Sequence, residues 1–404
     1  MIEDPKIRCF LSSAEAPVHN KSPIWSAPFP LGRDPAEASP PEPDRCPITY
    51  GDYFTGVRTF LEKDRFCAVS EAIFKQAGSA AGVKNIGSID IRLEKHGEFY
   101  HPARIEVGFG GETIYFVLNV AISDPGKKAV FCEYDLLRRL RKEYPWPYLP
   151  AAHGLDRVTV RGGKIEMIMF LGEWFTGYHE FHLSGFRPDG KADIVLWDGA
   201  DRRSLARELV LPLYRQAAMI LTCYYDLFTF EQISAWHHAA GDFIVSVCDN
   251  RLDMKLITVR EYTPMADNSQ QDPGAMIQSM LIFMLNLSLR MRLDRIEGVG
   301  EPVWADDRAV TGTIAGFFDG MAQKTGVETL AEPFAVLFKD YIESCTPDDL
   351  VDLAGAIVDS YHPEAPETLL IRKHLPRHCE TLYHVIKNLR SYGFFESSFG
   401  PRPG

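Results

Sequence analysis

Residues 241–245 read Gly-Asp-Phe-Ile-Val, a pair typical of turns followed by β-forming residues. Two β-type runs, Phe243–Cys248 and Met254–Val259, lie on either side of Asp249-Asn250-Arg251. The stretch therefore predicts a β-hairpin. The segment before it, Leu205–Trp236, has apolar residues at helical spacing and predicts a long helix.

The chain after the hairpin is patterned mainly as helix. Further helices are predicted at residues 272–293, 308–324, 331–345, 348–359 and 374–389. The most apolar stretch, Met276–Leu293, contains two arginines and several other polar residues. Because a membrane-spanning helix needs about 20 nearly uncharged residues, we interpret it as a buried core helix.

The chain before the hairpin changes from a helical period to a period of two. Residues 51–81 are spaced as helix, and Lys127–Tyr144 forms a second helical stripe that ends at two prolines. Alternating or continuous β-type runs surround that stripe at residues 88–95, 103–107, 113–122, 154–160 and 164–170. A connector at residues 171–177, which contains Trp174, follows the last run.

The first 50 residues contain ten of the 27 prolines, which disfavours a regular helix or a central strand. Phe10, Trp25 and Phe29 are nevertheless large apolar side chains in this segment. Two interpretations stay open here: a flexible tail, or an extended arm that places these aromatic rings on the body of the protein.

The composition is that of a globular protein, with 46% apolar and 24% charged residues. The net charge of −12 argues against nucleic acid and membrane surfaces as partners. The eight cysteines contain no C-x-x-C pair, which is typical of reduced thiols, and no signal-peptide pattern is present at the N-terminus. These features predict a cytoplasmic protein.

The order of these elements resembles the protein-kinase-like fold, and most closely its aminoglycoside and choline phosphotransferase branch. Gly241-Asp242 resembles the His-Gly-Asp catalytic loop of that family, and the resemblance covers about residues 85–390. It implies an α+β, bilobal fold. The small lobe would have a five-stranded antiparallel sheet and one helix, and the large lobe would be mainly helical with a β-hairpin.

The resemblance implies three segments: a proline-rich arm at 1–50, a small lobe with preceding helices at 51–172, and a helical large lobe at 173–404. Phosphoryl transfer in this fold needs an aspartate for the substrate hydroxyl, a lysine paired with a helix glutamate, and magnesium ligands. Asp242 matches the catalytic aspartate.

The other positions depart from the family pattern. Val247 stands where the family has a magnesium-binding asparagine. Arg260 stands eighteen residues after Asp242, at the position where the family has its metal-binding aspartate. A guanidinium has only hydrogen-bond donors and cannot bind a cation. Asn119 occupies the position of the strand lysine. We therefore expect no bound metal.

Glu133 is the candidate helix glutamate, because it lies on the apolar stripe of its helix. A buried carboxylate needs a partner, and we hypothesise that Arg260 pairs with Glu133. A glutamate at the edge of the stripe that reaches solvent is the alternative. Trp174 is expected to line the cleft.

The candidate catalytic residues are thus Asp242 and His238, and the candidate cofactor-binding residues are Asn119, Glu133, Trp174 and Arg260. Asp242 as a turn residue, and the pair His237-His238 as a structural element of the loop, are the alternatives.

Three further clusters have a structural and a ligand-binding interpretation. They are Gly108-Phe109-Gly110-Gly111, which we favour as a turn; Tyr178–His182, a candidate ligand surface; and the basic residues of 138–142, which we favour as a solvated helix face.

The missing groups predict a pseudokinase-like protein that binds an unidentified small ligand or protein partner, or that has a regulatory role. No cofactor is expected, although ATP stays open. The alternative is an active ATP-dependent small-molecule phosphotransferase whose metal ligands are Asp249, Asp253 or Glu261. A third alternative is a structural protein with no occupied cleft.

Overall fold

The computed structural model has a mixed α+β fold, and it describes residues 4–12, 14–31, 47–77, 85–186, 192–198, 201–238, 241–265, 272–325 and 331–389. The chain divides into two compact units. The first comprises Met1–Glu143 and Pro150–Thr176, and the second comprises Tyr144–Leu149 and Gly177–Gly404. The seven cysteines within the described residues are free thiols, and Cys46 lies outside them.

The first unit contains a six-stranded sheet with the order β1-β2-β3-β4-β6-β5. Its strands are β1 (Lys6–Leu11), β2 (Ile86–Leu93), β3 (His101–Phe109), β4 (Glu112–Ala121), β5 (Ala152–Val160) and β6 (Ile165–Glu173). Strands β2 to β6 pair antiparallel, as the period-two runs predicted.

Strand β1 adds a sixth member that the sequence analysis did not predict. It pairs parallel to β2 at the edge of the sheet, and its six residues contain no proline. An edge strand needs backbone partners on one side only, so a proline-rich segment can supply one wherever a short run lacks proline.

Three helices pack in the first unit: α1 (Tyr50–Glu62), α2 (Cys67–Ala77) and α3 (Asp124–Glu143). Helix α1 begins at a capping box in which Thr49 and Asp52 exchange hydrogen bonds between side chain and backbone. The predicted stripe of α3 is buried at Val130, Leu137 and Leu140.

The N-terminal aromatic residues pack on this unit. The Phe29 ring is buried and stacks on Tyr53 with centroids 4.8 Å apart, and Trp25 stacks on Phe54 at 6.1 Å. Phe10 is buried below the Arg92 guanidinium, which lies 4.3 Å from its ring centroid. The segment thus contributes to the core. The proline cluster at 40–43 lies outside the described residues.

The second unit contains more β-structure than expected. Its largest sheet has the order β12-β11-β7-β8-β9. The strands of this sheet are β7 (His179–Phe186), β8 (Ala192–Asp198), β9 (Asp201–Ser204), β11 (Phe243–Cys248) and β12 (Arg251–Leu256). The predicted hairpin is present as β11 and β12, but β12 begins at Arg251 and ends at Leu256, three residues earlier than the predicted run 254–259. It continues into a sheet because β7 pairs with β11, more than sixty residues later in the chain.

Two small two-stranded sheets complete the β-structure of the second unit. They pair β10 (Glu231–Ser234) with β13 (Glu261–Pro264), and β14 (Leu293–Arg295) with β15 (Pro302–Trp304). Helices still form more of the described second unit than strands do, as expected, but the expectation of a single β-hairpin was wrong.

The described second unit also contains six α-helices: α4 (Val210–Cys223), α5 (Pro273–Arg290), α6 (Arg308–Thr325), α7 (Ala331–Ser344), α8 (Pro347–Asp359) and α9 (Pro366–Lys387). Helix α5 is largely buried, as predicted. Helix α9 begins before the predicted start at residue 374 and contains Pro376 in its interior. Among the described helices, none has the length and hydrophobicity to cross a membrane.

The predicted long helix at 205–236 ends at Cys223. Apolar residues continue beyond it at helical spacing, but Phe230 and Ala235 have φ angles of 60° and 55°. Residues with a side chain seldom adopt this left-handed conformation, and it cannot be part of an α-helix. The apolar pattern there reflects burial in β10 and its turns.

Candidate functional site

Asp242 lies at the entrance to β11, directly after a turn that requires glycine. Gly241 has a φ of +68°, and a Cβ atom at this position would lie 2.5 Å from the carboxyl carbon of Glu180. Its amide donates a hydrogen bond of 2.9 Å to the carbonyl oxygen of His238. The Gly-Asp pair that drew attention in the sequence is thus fixed by a close approach of two segments.

The Asp242 carboxylate forms a bidentate ion pair with Arg260. The Nη1 and Nη2 atoms of Arg260 each donate a hydrogen bond of 2.6 Å to a different oxygen of the carboxylate. The His237 backbone amide donates a third hydrogen bond of 2.8 Å. Asp242 has no exposed surface, whereas 24% of the Arg260 side chain is exposed.

Arg260 binds both oxygens of the Asp242 carboxylate, and a catalytic role would need that carboxylate to be accessible. A buried carboxylate requires a partner of opposite charge and hydrogen bonds to its remaining lone pairs, and Arg260 with His237 supplies both. Arg260 is fixed further by a hydrogen bond of 3.0 Å to the carbonyl oxygen of Ala235. The positive charge that balances the buried Asp242 carboxylate is therefore supplied by the Arg260 guanidinium.

The other three predicted cofactor-binding residues, Asn119, Glu133 and Trp174, lie in the first unit. Glu133 is buried on α3, and Asn119 is buried on β4, opposite Pro102 and Phe170 of the neighbouring strands. Trp174 is half-buried, with the Arg104 guanidinium 5.4 Å from its ring centroid. The hypothesised Arg260–Glu133 bridge joins residues of different units, and it stays a prediction.

His238 lies in an aromatic cage. Its ring is buried, and the centroids of Phe181, Trp236 and Phe243 lie 5.3 to 5.6 Å from it. Burial lowers the pKa of His238 to about 4, so the imidazole is neutral at pH 7. Its Nε2 atom lies 3.1 Å from the Met291 sulfur. This environment favours a structural role for His238, the alternative that the sequence analysis left open.

The cationic side chain of Arg290 also has a structural role near this loop. Arg290, at the end of α5, donates a hydrogen bond to the Trp236 carbonyl oxygen, and its guanidinium lies 5.3 Å from the Trp236 ring centroid. Burial lowers the pKa of Arg290, and the nearby Asp242 and Glu261 raise it in part. Arg290 therefore holds the segment before Asp242 in place.

The candidate surface at 178–182 contains a buried cluster that the sequence analysis did not assemble. His182 is buried, with Nδ1 3.6 Å from Asp294 and Nε2 3.7 Å from Glu180. Burial lowers the pKa of His182, but the two nearby carboxylates outweigh it, so that the pKa is raised. Asp294 also accepts a hydrogen bond of 2.8 Å from the Leu183 amide. Asp294 was missed because it lies more than a hundred residues away in the sequence.

The glycine cluster between β3 and β4 is explained by its turn. Gly110 and Gly111 have φ angles of 59° and 93° and join the paired residues Phe109 and Glu112. A two-residue hairpin turn of this kind needs positive φ at both central positions, so the turn alone accounts for the glycines.

One of the alternative metal ligands, Asp253, is held by neighbouring side chains. Asp253 accepts a hydrogen bond from the Tyr178 hydroxyl and lies 3.2 Å from the Lys255 ammonium. Within the described ranges, no group of three or more histidine, cysteine, aspartate or glutamate side chains is arranged to hold a metal ion.

No model of a known protein family matches this chain, and no curated protein is significantly similar to it.

Proposed function

We propose that this chain is a pseudokinase-like protein of the aminoglycoside phosphotransferase type, which binds a small ligand or partner, or regulates one, without transferring phosphate. The bidentate Asp242–Arg260 pair carries this proposal. It places a positively charged side chain against the carboxylate that an active relative would use to orient the substrate hydroxyl.

Three differences from the family pattern would affect the same chemical step, the transfer of the phosphoryl group. Arg260 replaces a metal-binding carboxylate, Val247 replaces an amide ligand, and Asn119 replaces the lysine that holds the phosphates. The metal ions and the lysine supply most of the charge stabilisation in phosphoryl transfer. Because these losses affect one transition state, normal phosphoryl transfer should be abolished.

The proposal predicts no magnesium-dependent binding of ATP. We expect the melting temperature of the full chain in 1 mM ATP to be the same with and without 5 mM Mg²⁺. A phosphotransferase with an affinity near 10 μM would gain about 2.7 kcal/mol at this concentration. That gain corresponds to a shift of roughly 5–10 °C for units of this size.

A magnesium-dependent shift of that size would contradict the proposal and favour the alternative of an active phosphotransferase. Release of ADP that Asp242→Asn abolishes would contradict it as well. Asp352→Asn, which changes an exposed aspartate on α8, is the matched control for this substitution.

A further inference from the structure

A cavity of about 490 Å³ lies in the first unit, whereas the Asp242–Arg260 pair belongs to the second. The end of α2, the last turns of α3, the segment entering β5 and the end of β6 form its walls. Its charged and titratable lining residues are Lys75, Arg138, Arg141, Lys142, His153 and Glu173. We call it the basic cavity.

The lining carries more positive than negative charge. The lining contains four cationic side chains, all exposed, and one carboxylate, that of Glu173, whose Oε2 atom accepts a hydrogen bond of 3.0 Å from the Ala151 amide. Basic residues at the ends of α2 and α3 also compensate helix dipoles, but each helix end contributes only about half a negative charge. A net positive charge of about two therefore remains in a protein whose overall charge is −12.

A β-bulge lies at the wall of the cavity. The pairing of β5 with β6 shifts register between Ala152 and Gly154, which makes His153 the extra residue. Bulges of this kind redirect a side chain and occur often next to binding sites. The His153 ring packs edge-on against Phe116 at 5.7 Å, and its Nε2 atom is buried with no hydrogen bond in the described part of the chain.

We propose that the basic cavity binds a small organic phosphate with about two negative charges. Arginine guanidinium groups match phosphate oxygens with paired donors, and two of the four cations are arginines. The volume lies within the 300–1,000 Å³ that is typical of small-molecule sites and exceeds the need of a free phosphate ion. The rest of the ligand would therefore occupy the remaining space beside Ala151 and Ala152.

Isothermal titration calorimetry of the full chain at 0.15 M NaCl tests this proposal with three compounds: inorganic phosphate, glycerol 3-phosphate and AMP. We expect at least one organic phosphate to bind at least about tenfold more tightly than inorganic phosphate. Arg141→Gln should weaken that binding by about tenfold or more, because it removes one charged donor pair.

Arg139→Gln is the matched control, since Arg139 lies on the same helix but pairs with Glu143 and does not line the cavity. It should change the affinity by less than about twofold. Lys75→Gln, on helix α2, provides a second test if Arg141→Gln does not fold. Asp242→Asn should leave the binding unchanged, which separates this site from the proposed function.

His153 supplies an independent readout. Burial, followed by the positive charges of Lys75 and Arg141, lowers its pKa to about 4. A bound anion offsets those charges, so the pKa of His153 in labelled protein should rise when the ligand binds. Three results would overturn the proposal: no compound binding below about 10 mM, equal affinity for inorganic phosphate, or equal losses for Arg139→Gln and Arg141→Gln.

Discussion

The Asp242–Arg260 pair shows how far single residues can be interpreted from the sequence. Counting eighteen residues from Asp242 identified Arg260 as the exception to the family pattern, and the structure places the two side chains in direct contact. The sequence analysis did not name Asp242 as a partner of Arg260, because sequence spacing does not report which side chains meet across a turn. The β10–β13 pairing, which brings residues 234 and 261 together, was the missing information.

The pH dependence of stability should reveal the caged imidazole of His238. Its pKa is lowered to about 4 in the folded protein, so the unfolded chain binds the proton more readily. The contribution of His238 to the free energy of unfolding is therefore fully present above pH 6.5, and it is lost as the pH falls from 6.5 towards 4. His238→Phe should reduce the loss of unfolding free energy between pH 7 and pH 5 by about 2 kcal/mol.

Urea denaturation at the two pH values measures this difference. Other buried histidines with lowered pKa values, among them His378, also make the folded protein less stable as the pH falls through this range. The variant should therefore keep part of the pH dependence. His362→Phe, at an exposed position on the surface, is the control. An unchanged pH dependence in His238→Phe would show that the imidazole is not held neutral in the cage.

At the scale of elements, the hairpin β11–β12 was predicted because its turn residues carry a local signal. Asp249 and Asn250 have φ angles of 49° and 59° and join the paired residues Cys248 and Arg251. A turn with positive φ at both central positions matches the twist of an antiparallel pair, and aspartate and asparagine tolerate it.

Asn250→Val should destabilise the hairpin by about 1–2 kcal/mol, since a branched Cβ is strained at positive φ. Asn250→Gly should keep wild-type stability, because glycine adopts this conformation without strain. Native-state hydrogen exchange at the Cys248 and Arg251 amides measures both effects. Equal exchange in the two variants would exclude turn strain as the cause.

Elements that depend on distant pairing were predicted less well. Local periodicity gave five of the six strands of the first unit and most helices. It extended α4 through the apolar residues of β10, and it did not show that β7 pairs with β11. The left-handed backbone conformation at Phe230, which excludes a helix there, has no signature in the side chain itself. Strand partners far apart in the chain are set by packing that a single window of sequence does not contain.

At the scale of the whole molecule, the charge distribution is uneven. The chain has a net charge of −12, yet the basic cavity concentrates four cations in the first unit. Composition alone argued against polyanionic partners such as nucleic acid. It gave no information on a small anionic ligand, whose binding depends on local charge and shape.

The N-terminal segment belongs to the core of the first unit, and its removal from that core should be costly. Phe29 is 5% exposed and packs on Tyr53, whereas the nearby Leu31 is 45% exposed. Phe29→Ala should lower the free energy of unfolding by about 3–5 kcal/mol, and Leu31→Ala by less than about 1 kcal/mol. Hydrogen exchange of the β3 and β4 amides measures the stability of this unit alone. Equal losses in the two variants would mean that Phe29 does not pack in the core, and that the proline-rich segment is a tail.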